Sequence, residues 1–393
     1  MNHSWSIKRL GDICTSELGK TRDEKRNKGS FRPYLCAVNV QWDKFELSEL
    51  KEMRFEDNEY DRYKIRKGDL VICEGGDIGR AAIWDKDEPI HYQNALHRVR
   101  FNEGVDSRFI LYYLYFLKQT GILDGRYGKG VTIKHLVKSS LLSIPVPVPP
   151  IDEQQRIVFE LDLLTDIIDK KNAQLRDLDT LAQSIFYELF GDPITNEKGW
   201  PIKNVGEFAD VTDYVANGSF ATLRENVSYK SEPDYAILVR LADFSNAFDR
   251  RKFVYVDKHA YDFLAKSKLF GGEIIMSNVG SVGKSFICPD LGQPMSLAPN
   301  SIVIKTPNNI YSYACFQMPS FQLAIKGITS QTALPKFNKT EFKKIKVICP
   351  PAEMQTRYEV RWKAIQGQRE RIKASLKDAQ ALLDSRMDYY FND

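Results

Sequence analysis

Apolar positions along the chain follow two periodicities, and the longer-ranged one is the clearer. Starting at Ile157, alternating steps of four and three residues fall on Ile157, Leu161, Leu164, Ile168, Lys171, Leu175, Leu178, Ala182, Ile185 and Leu189. Nine of these ten are apolar. The segment therefore carries a heptad seam and predicts a helix of about 60 Å at 1.5 Å per residue. Pro149-Pro150 ends the run before it, and Gly191-Asp192-Pro193 stops it. Asp152 and Glu153 fall in the first turn, where the helix dipole favours negative charge. Adding 201 to each seam position gives Tyr358, Trp362, Ile365, Arg369, Ile372, Leu376, Ala379, Leu383, Arg386 and Tyr390, eight of them apolar or aromatic. Two helices of equal length in matching register favour packing on each other. With one joining two globular stretches and the other following the second, antiparallel packing is expected.

Outside the seams the period is two. Short alternating runs at Asp69–Cys73, Ala81–Trp84, Leu96–Phe101 and Leu142–Val148 are bounded by Gly, Pro, Asn and Asp and read as strands. One helix interrupts them at Ser107–Thr120, apolar nearly all round, with a counterpart at about Tyr311–Lys326. The sequence also repeats itself. KGDLVICEGGDIGRAAIW (67–84) returns as GGEIIMSNVGSVGKSFIC (271–288), and PVPVPPIDEQQRIV (145–158) as KVICPPAEMQTRYE (346–359). Trp5–Asp12 returns as Trp200–Glu207. A period near 200 residues is too long for a solenoid and marks a duplicated pair of whole domains. The expected fold class is α+β: two β-rich domains at 1–150 and 191–350, each followed by a long helix, at 151–190 and 351–393.

Composition narrows the class. A chain of 393 residues with 43% hydrophobic and 27% charged residues is an ordinary two-domain globular chain. The longest apolar run, Phe109–Leu117, is too short to span a membrane, and the first residues lack a signal-peptide core. The six cysteines form no Cys-x-x-Cys pair and read as reduced thiols, so a cytoplasmic protein is expected. The net charge of +4 is unevenly spread. Residues 1–150 hold 25 Lys and Arg against 21 Asp and Glu, and residues 191–350 hold 19 against 15. Residues 151–190 hold 4 against 9. A duplex would be held by the two larger segments and repelled by the one between them.

Catalytic motifs are missing. Gly283-Lys284-Ser285 ends like a phosphate-binding loop, but the glycine needed five residues earlier is Asn278, and Phe286-Ile287-Cys288 reads as strand rather than helix. A glycine hairpin between two strands is the better reading. The five histidines (3, 91, 97, 135, 259) lack metal-ligand spacing, and no Gly-x-Gly-x-x-Gly opens a helix, so neither metal nor cofactor is expected. His91 and His97, six apart on a strand-like stretch, would face the same side.

Two β-rich units, each closed by a double proline leading through a glutamine into a long heptad helix, resemble the DNA-specificity subunit of type I restriction–modification systems. The pieces that match are Lys67-Gly68-Asp69-Leu70 with its glycine hairpin, Pro149-Pro150-Ile151-Asp152-Glu153-Gln154-Gln155-Arg156-Ile157, and Phe186–Pro193. The second copy departs at Ala352-Glu353-Met354-Gln355, which breaks the Glu-Gln pair. The resemblance covers essentially the whole chain. It implies a non-catalytic subunit whose two domains each read one half of a bipartite DNA target. The helices would set the unread spacer. Partners would be double-stranded DNA, two methyltransferase subunits and, through the complex, restriction and motor subunits.

Base reading calls for Arg, Lys, Asn, Gln, Ser or Thr on groove-facing loops. The candidate loop of the first domain is Arg126–His135, glycine-rich, basic and aromatic, with Arg126, Lys129, Thr132, Lys134 and His135 as contacts. Its counterpart is Gly327–Lys336, with Ser330, Gln331, Thr332 and Lys336. Arg80 and Lys284 at the glycine hairpins, and His97-Arg98, form a second group. Helix packing is assigned to Ile157, Leu161, Leu164, Ile168, Leu175, Leu178, Ile185 and Leu189, and to Tyr358, Trp362, Ile365, Ile372, Leu376 and Leu383. Two rival functions are a coiled-coil scaffold whose globular domains bind proteins or other ligands, and an enzyme of unrecognised chemistry.

Overall fold

Each half of the duplicated sequence folds around the same strand order. The computed structural model describes residues 5–59 and 61–392. His3 and the rest of residues 1–4, part of the segment read for a signal peptide, lie outside them. The chain divides into two compact units, Met1–Asn172 with Lys373–Asp393, and Ala173–Ile372.

In the first unit an antiparallel sheet runs Cys14–Leu18, Leu96–Phe101, Leu70–Cys73, Ala81–Ile83. A second sheet runs Lys51–Phe55, Ser30–Leu35, Ile90–Tyr92, Lys64–Ile65, with a parallel pair at its centre. Leu70–Cys73 shows why the apolar runs are continuous rather than alternating. Leu70 and Ile72 join a core built with the helix Ser107–Gln119, whereas Val71 and Cys73 join a core with Leu35, Tyr92 and Trp84. Both faces of the strand are covered, so all four residues are buried. Ser107–Gln119 is apolar all round for the same reason, and Asp106 caps it by accepting from the amides of Arg108 and Phe109.

The second unit repeats the order. One sheet runs Asp210–Asp213, Ser301–Lys305, Ile274–Ser277, Ser285–Ile287; the other runs Tyr255–Val256, Ala236–Val239, Met295–Leu297, Lys268–Leu269. Ile274 and Met276 face one core, and Ile275 another. Two expectations need correction. The helix expected over Tyr311–Lys326 is two, Asn309–Gln317 and Pro319–Gly327. Pro319 removes an amide donor and holds Met318 extended (φ −65°, ψ 140°). The strand expected from Leu142 begins at Pro145, because Lys138–Leu142 forms a helical turn first.

The long helices run Ile151–Phe190 and Ala352–Phe391. In the first unit Glu160 pairs with Arg386 and accepts from the Tyr390 hydroxyl at 2.5 Å. In the second, Asp179 pairs with Arg369, and Tyr358 packs 5.6 Å from Phe186. Within each unit the paired stretches therefore run antiparallel. All twenty seam positions are buried or half-buried. Each helix also lends its far end to a domain core. Met387, Tyr390 and Phe391 enter the core around Phe109 and Tyr113, and Phe186 and Phe190 enter the core around Tyr311 and Phe316.

The proline–glutamine signature has a direct structural meaning. Gln154 is fully buried, and its Nε2 donates to Pro149 O at 2.8 Å and Gly104 O at 3.0 Å. Its Oε1 accepts from the amide of Asp106, the residue that caps Ser107–Gln119. One side chain thus ties the start of the long helix to the start of the domain helix. Among the described residues Gln355 keeps only the proline bond, at 2.8 Å to Pro350 O.

Candidate nucleic-acid interface

The two candidate loops are built alike and differ in side chains. In the first unit, Lys129 and His135 exchange backbone hydrogen bonds of 2.8 and 2.7 Å, closing the loop on itself. Gly130 adopts φ +109°, and a Cβ there would lie 2.3 Å from Ile133 O. The exit is tied to the glycine hairpin: Leu136 N donates to Glu74 O at 2.7 Å, and His135 Nδ1 lies 3.1 Å from Glu74 Oε2. Gly79 (φ +78°) lets that hairpin meet the turn Leu123–Tyr127, since a Cβ would lie 1.9 Å from Leu123 Cδ2. Arg126, Lys129, Thr132 and His135 are exposed, as are Val131 and Ile133. Lys134 is half-buried, its ammonium donating to Asp124 O at 2.8 Å, so it braces the loop.

In the second unit Ser330 N donates to Lys336 O at 2.9 Å, and Lys336 N to Ser330 Oγ at 3.1 Å. The Thr332 hydroxyl donates to Leu334 O at 2.9 Å. The glycine hairpin again receives the loop, with Gly280 N donating to Pro335 O and Phe337 N to Asn278 O. Gln331, Thr332, Leu334 and Lys336 are exposed, and Ser330 is half-buried. Exposed Phe220 borders a cleft of about 190 Å³ with Tyr214, Asn278 and Asn300 beside this hairpin.

The second group of candidates separates. Lys284 is exposed, 3.5 Å from Ser245 Oγ. Arg80 turns inward and donates to Ala37 O at 2.8 Å. His97 is fully buried with Nε2 2.7 Å from Leu136 O, and burial pushes its pKa down. Arg98 is buried too and donates to Arg62 O and Lys64 O at 2.8 Å each. His97 and Arg98 thus hold the first unit together and offer no surface to a groove, while Arg80 is half-buried beside Asp77. His97 and Arg98 lie on Leu96–Phe101, whose two faces meet different cores, Val99 joining the one around Phe109 and Leu96 the one around Tyr92. His91 and His97 do not share a face, because they lie in different sheets. His91 packs 4.1 Å from the Phe55 ring, and burial lowers its pKa to about 4, with Lys64, Arg32 and Lys20 adding to the shift.

One surface was not singled out from the pattern of motifs. Residues 20–34 carry six cations (20, 22, 25, 26, 28 and 32) against Asp23 and Glu24, and the rest of residues 1–150 balances at 19 against 19; five of the six are exposed, and Lys20 is buried against Glu59. The signal is a charge run visible in the sequence. Among the described residues no three His, Cys, Asp or Glu side chains gather as a metal site, and no helix is long and apolar enough to cross a membrane. Cys14, Cys36, Cys73, Cys288 and Cys315 are buried thiols, and burial pushes Cys73 up to about 11.

Known proteins share this organisation. The chain is 25% identical over 241 residues to the type I restriction enzyme MjaIX specificity subunit of Methanocaldococcus jannaschii, covering 56% of this chain and 54% of that one. It therefore spans about half the length of that relative. Against the MjaX specificity subunit of the same organism it is 22% identical over 379 residues, covering 92% and 86%. A type I restriction–modification S subunit from M. genitalium superposes with TM-score 0.55 at 14% identity, covering 100% and 97%. A chain from a type I system, solved to describe complex assembly and conformational transition, gives 0.56 at 16%, covering 98% and 97%. At such identities these two structures speak to the fold alone. The sequence profile of the type I restriction modification DNA specificity domain matches twice, at residues 2–178 and 196–358. With both halves of the duplication so matched, the chain belongs to the type I restriction–modification DNA-specificity family.

Proposed function

We propose that the chain is the non-catalytic specificity subunit of a cytoplasmic type I restriction–modification complex. Residues 1–150 and 191–350 are its two target-recognition domains, each reading one half of a bipartite duplex target. The helices 151–190 and 351–393 set the unread spacer and receive two methyltransferase subunits, to which restriction and motor subunits are added. The observation that carries this reading is the matched pair of loops. Arg126–His135 and Gly327–Lys336 hang from equivalent glycine hairpins through equivalent backbone bonds, yet present Lys129, Thr132 and His135 in one unit and Gln331, Thr332 and Lys336 in the other. A common mount with divergent tips suits two readers of different bases. Exposed apolar residues at i, i+4 and i+8 on the first long helix (Phe159, Leu163, Ile167) suit a helical partner.

Methylome sequencing tests it. Cells carrying the complete system are expected to show a bipartite methylated motif. Replacing residues 1–150 with the matching domain of another specificity subunit is expected to change one half of that motif and leave the other. An unchanged motif would refute the assignment of that domain.

A further inference from the structure

The cations of residues 20–34 are held differently from an ordinary solvated charge run. Both acids are used within the segment: Asp23 Oδ1 accepts from the amides of Lys25 and Arg26 at 3.0 and 3.1 Å, and Glu24 bonds to Arg22 at 2.5 Å. Lys25 and Lys28 are exposed and meet no carboxylate among the described residues. The segment is also fixed. Asn27 N donates to Asp23 O at 2.8 Å, Asn27 Nδ2 to Thr21 O at 3.1 Å, and Arg54 Nη1 to Gly29 O at 3.0 Å. Gly29 has φ +90°, and a Cβ there would lie 2.0 Å from Phe55 O, so only glycine brings the segment this close to the neighbouring strand. Phe31 stands 58% exposed, with the Arg54 guanidinium 4.5 Å from its ring.

The segment shares a mount with the Lys129–His135 loop. Lys20 N donates to Tyr92 O, and Asn94 N to Lys20 O, while Glu74 N donates to Ala95 O. Glu74 is the residue that holds Leu136 N and the His135 ring. The turn at residues 93–95 therefore joins the two.

We propose that residues 22–32, anchored through Lys20, form a phosphate arm that grips the backbone of double-stranded DNA beside the Lys129–His135 loop, adding affinity without reading sequence. The proposal rests on the DNA-recognition reading above and adds a surface to it. Exposed cations on a fixed, neutral-bodied domain are what backbone contact requires, and such contacts position without specifying. The second unit lacks an equivalent: residues 214–235 hold Arg224 and Lys230 against Glu225, Glu232 and Asp234. The arm serves the half-site of the first unit.

The test uses the full chain carrying Lys25→Ala with Lys28→Ala, and a fluorescent 30-base-pair duplex of mixed sequence. Two lost phosphate contacts lower the slope of log K against log salt by about 1.8. The advantage of the unaltered chain is then roughly 12-fold larger at 50 mM than at 200 mM salt. Lys25→Gln with Lys28→Gln, which keeps polar side chains of similar reach, is expected to behave the same with an unchanged melting midpoint. In cells, the methylated motif is expected to stay as it was. An unaltered salt slope, with the unaltered chain binding normally, would overturn the arm and leave the recognition reading intact. A changed motif would also overturn it, since the arm would then read bases. Absence of any sequence-dependent methylation from the complete, unaltered system would remove both.

Discussion

Gln154→Leu isolates what the proline–glutamine signature contributes, because leucine keeps an apolar body of similar size and removes both polar atoms of the side-chain amide. Three hydrogen bonds disappear, to Pro149 O, Gly104 O and Asp106 N. A typical bond contributes about 1 kcal/mol, and a buried group left without a partner costs about 1–3 kcal/mol. Pro149 O is the most deeply enclosed of the three, while Gly104 is exposed and water can meet its carbonyl. The expected loss is about 3 kcal/mol in the first unit, a fall in Tm of roughly 6–12 °C for a unit of this size. Gln355→Leu removes the single bond to Pro350 O and should cost about 1 kcal/mol in the second unit. Calorimetry of both variants, supported by urea unfolding, reads the two values. Equal losses, or a loss below about 1 kcal/mol for Gln154→Leu, would show that the side chain does not tie the two helix starts together.

Other outcomes are equally specific. Lys129→Ala is expected to weaken target binding by about 1–3 kcal/mol if the side chain reads a base, measured at low and moderate salt; no change in either condition removes it from the interface. His91 is neutral in the fold down to about pH 4, but an unfolded histidine takes a proton near 6.5. Its contribution is therefore complete above pH 6.5 and is lost as pH falls toward 4, by about 3 kcal/mol. His91→Phe should flatten that part of a stability–pH profile, and an unaltered profile would refute the burial argument. Gly79→Ala should cost about 2–4 kcal/mol in urea unfolding, from left-handed backbone plus a clash with Leu123. Gly76→Ala, at φ +77° with open space around it, should cost only about 1–2 kcal/mol.

The long helices are legible because a heptad seam depends only on spacing, and all twenty positions end up at least half-buried. The glycine hairpins are legible because strand, glycine pair and strand follow one another within eighteen residues at 67–84 and 271–288. The strand Leu96–Phe101 shows where such reading stops. His97 and Arg98 look like groove-facing polar residues, but alternation cannot reveal that cores cover both faces of a strand. Only the tertiary partners, Leu136 O for one and Arg62 O and Lys64 O for the other, disclose it. The inward bond of half-buried Arg80 is hidden for the same reason, since its carbonyl acceptor lies 43 residues away. The break at Pro319 is local and readable, yet the periodicity continues across it in Phe321 and Ile325 and hides the boundary.

Phe391 packs 5.4 Å from Phe109 and Tyr113, and Arg386 reaches Glu160 across 226 positions of sequence. During synthesis, the apolar interior of the first unit stays incomplete until the ribosome has also made the whole of the second. Maturation of the two units is thus ordered against their order in the message: the unit begun first is sealed last. A truncation after residue 372 would injure the half of the molecule farthest from it in the gene.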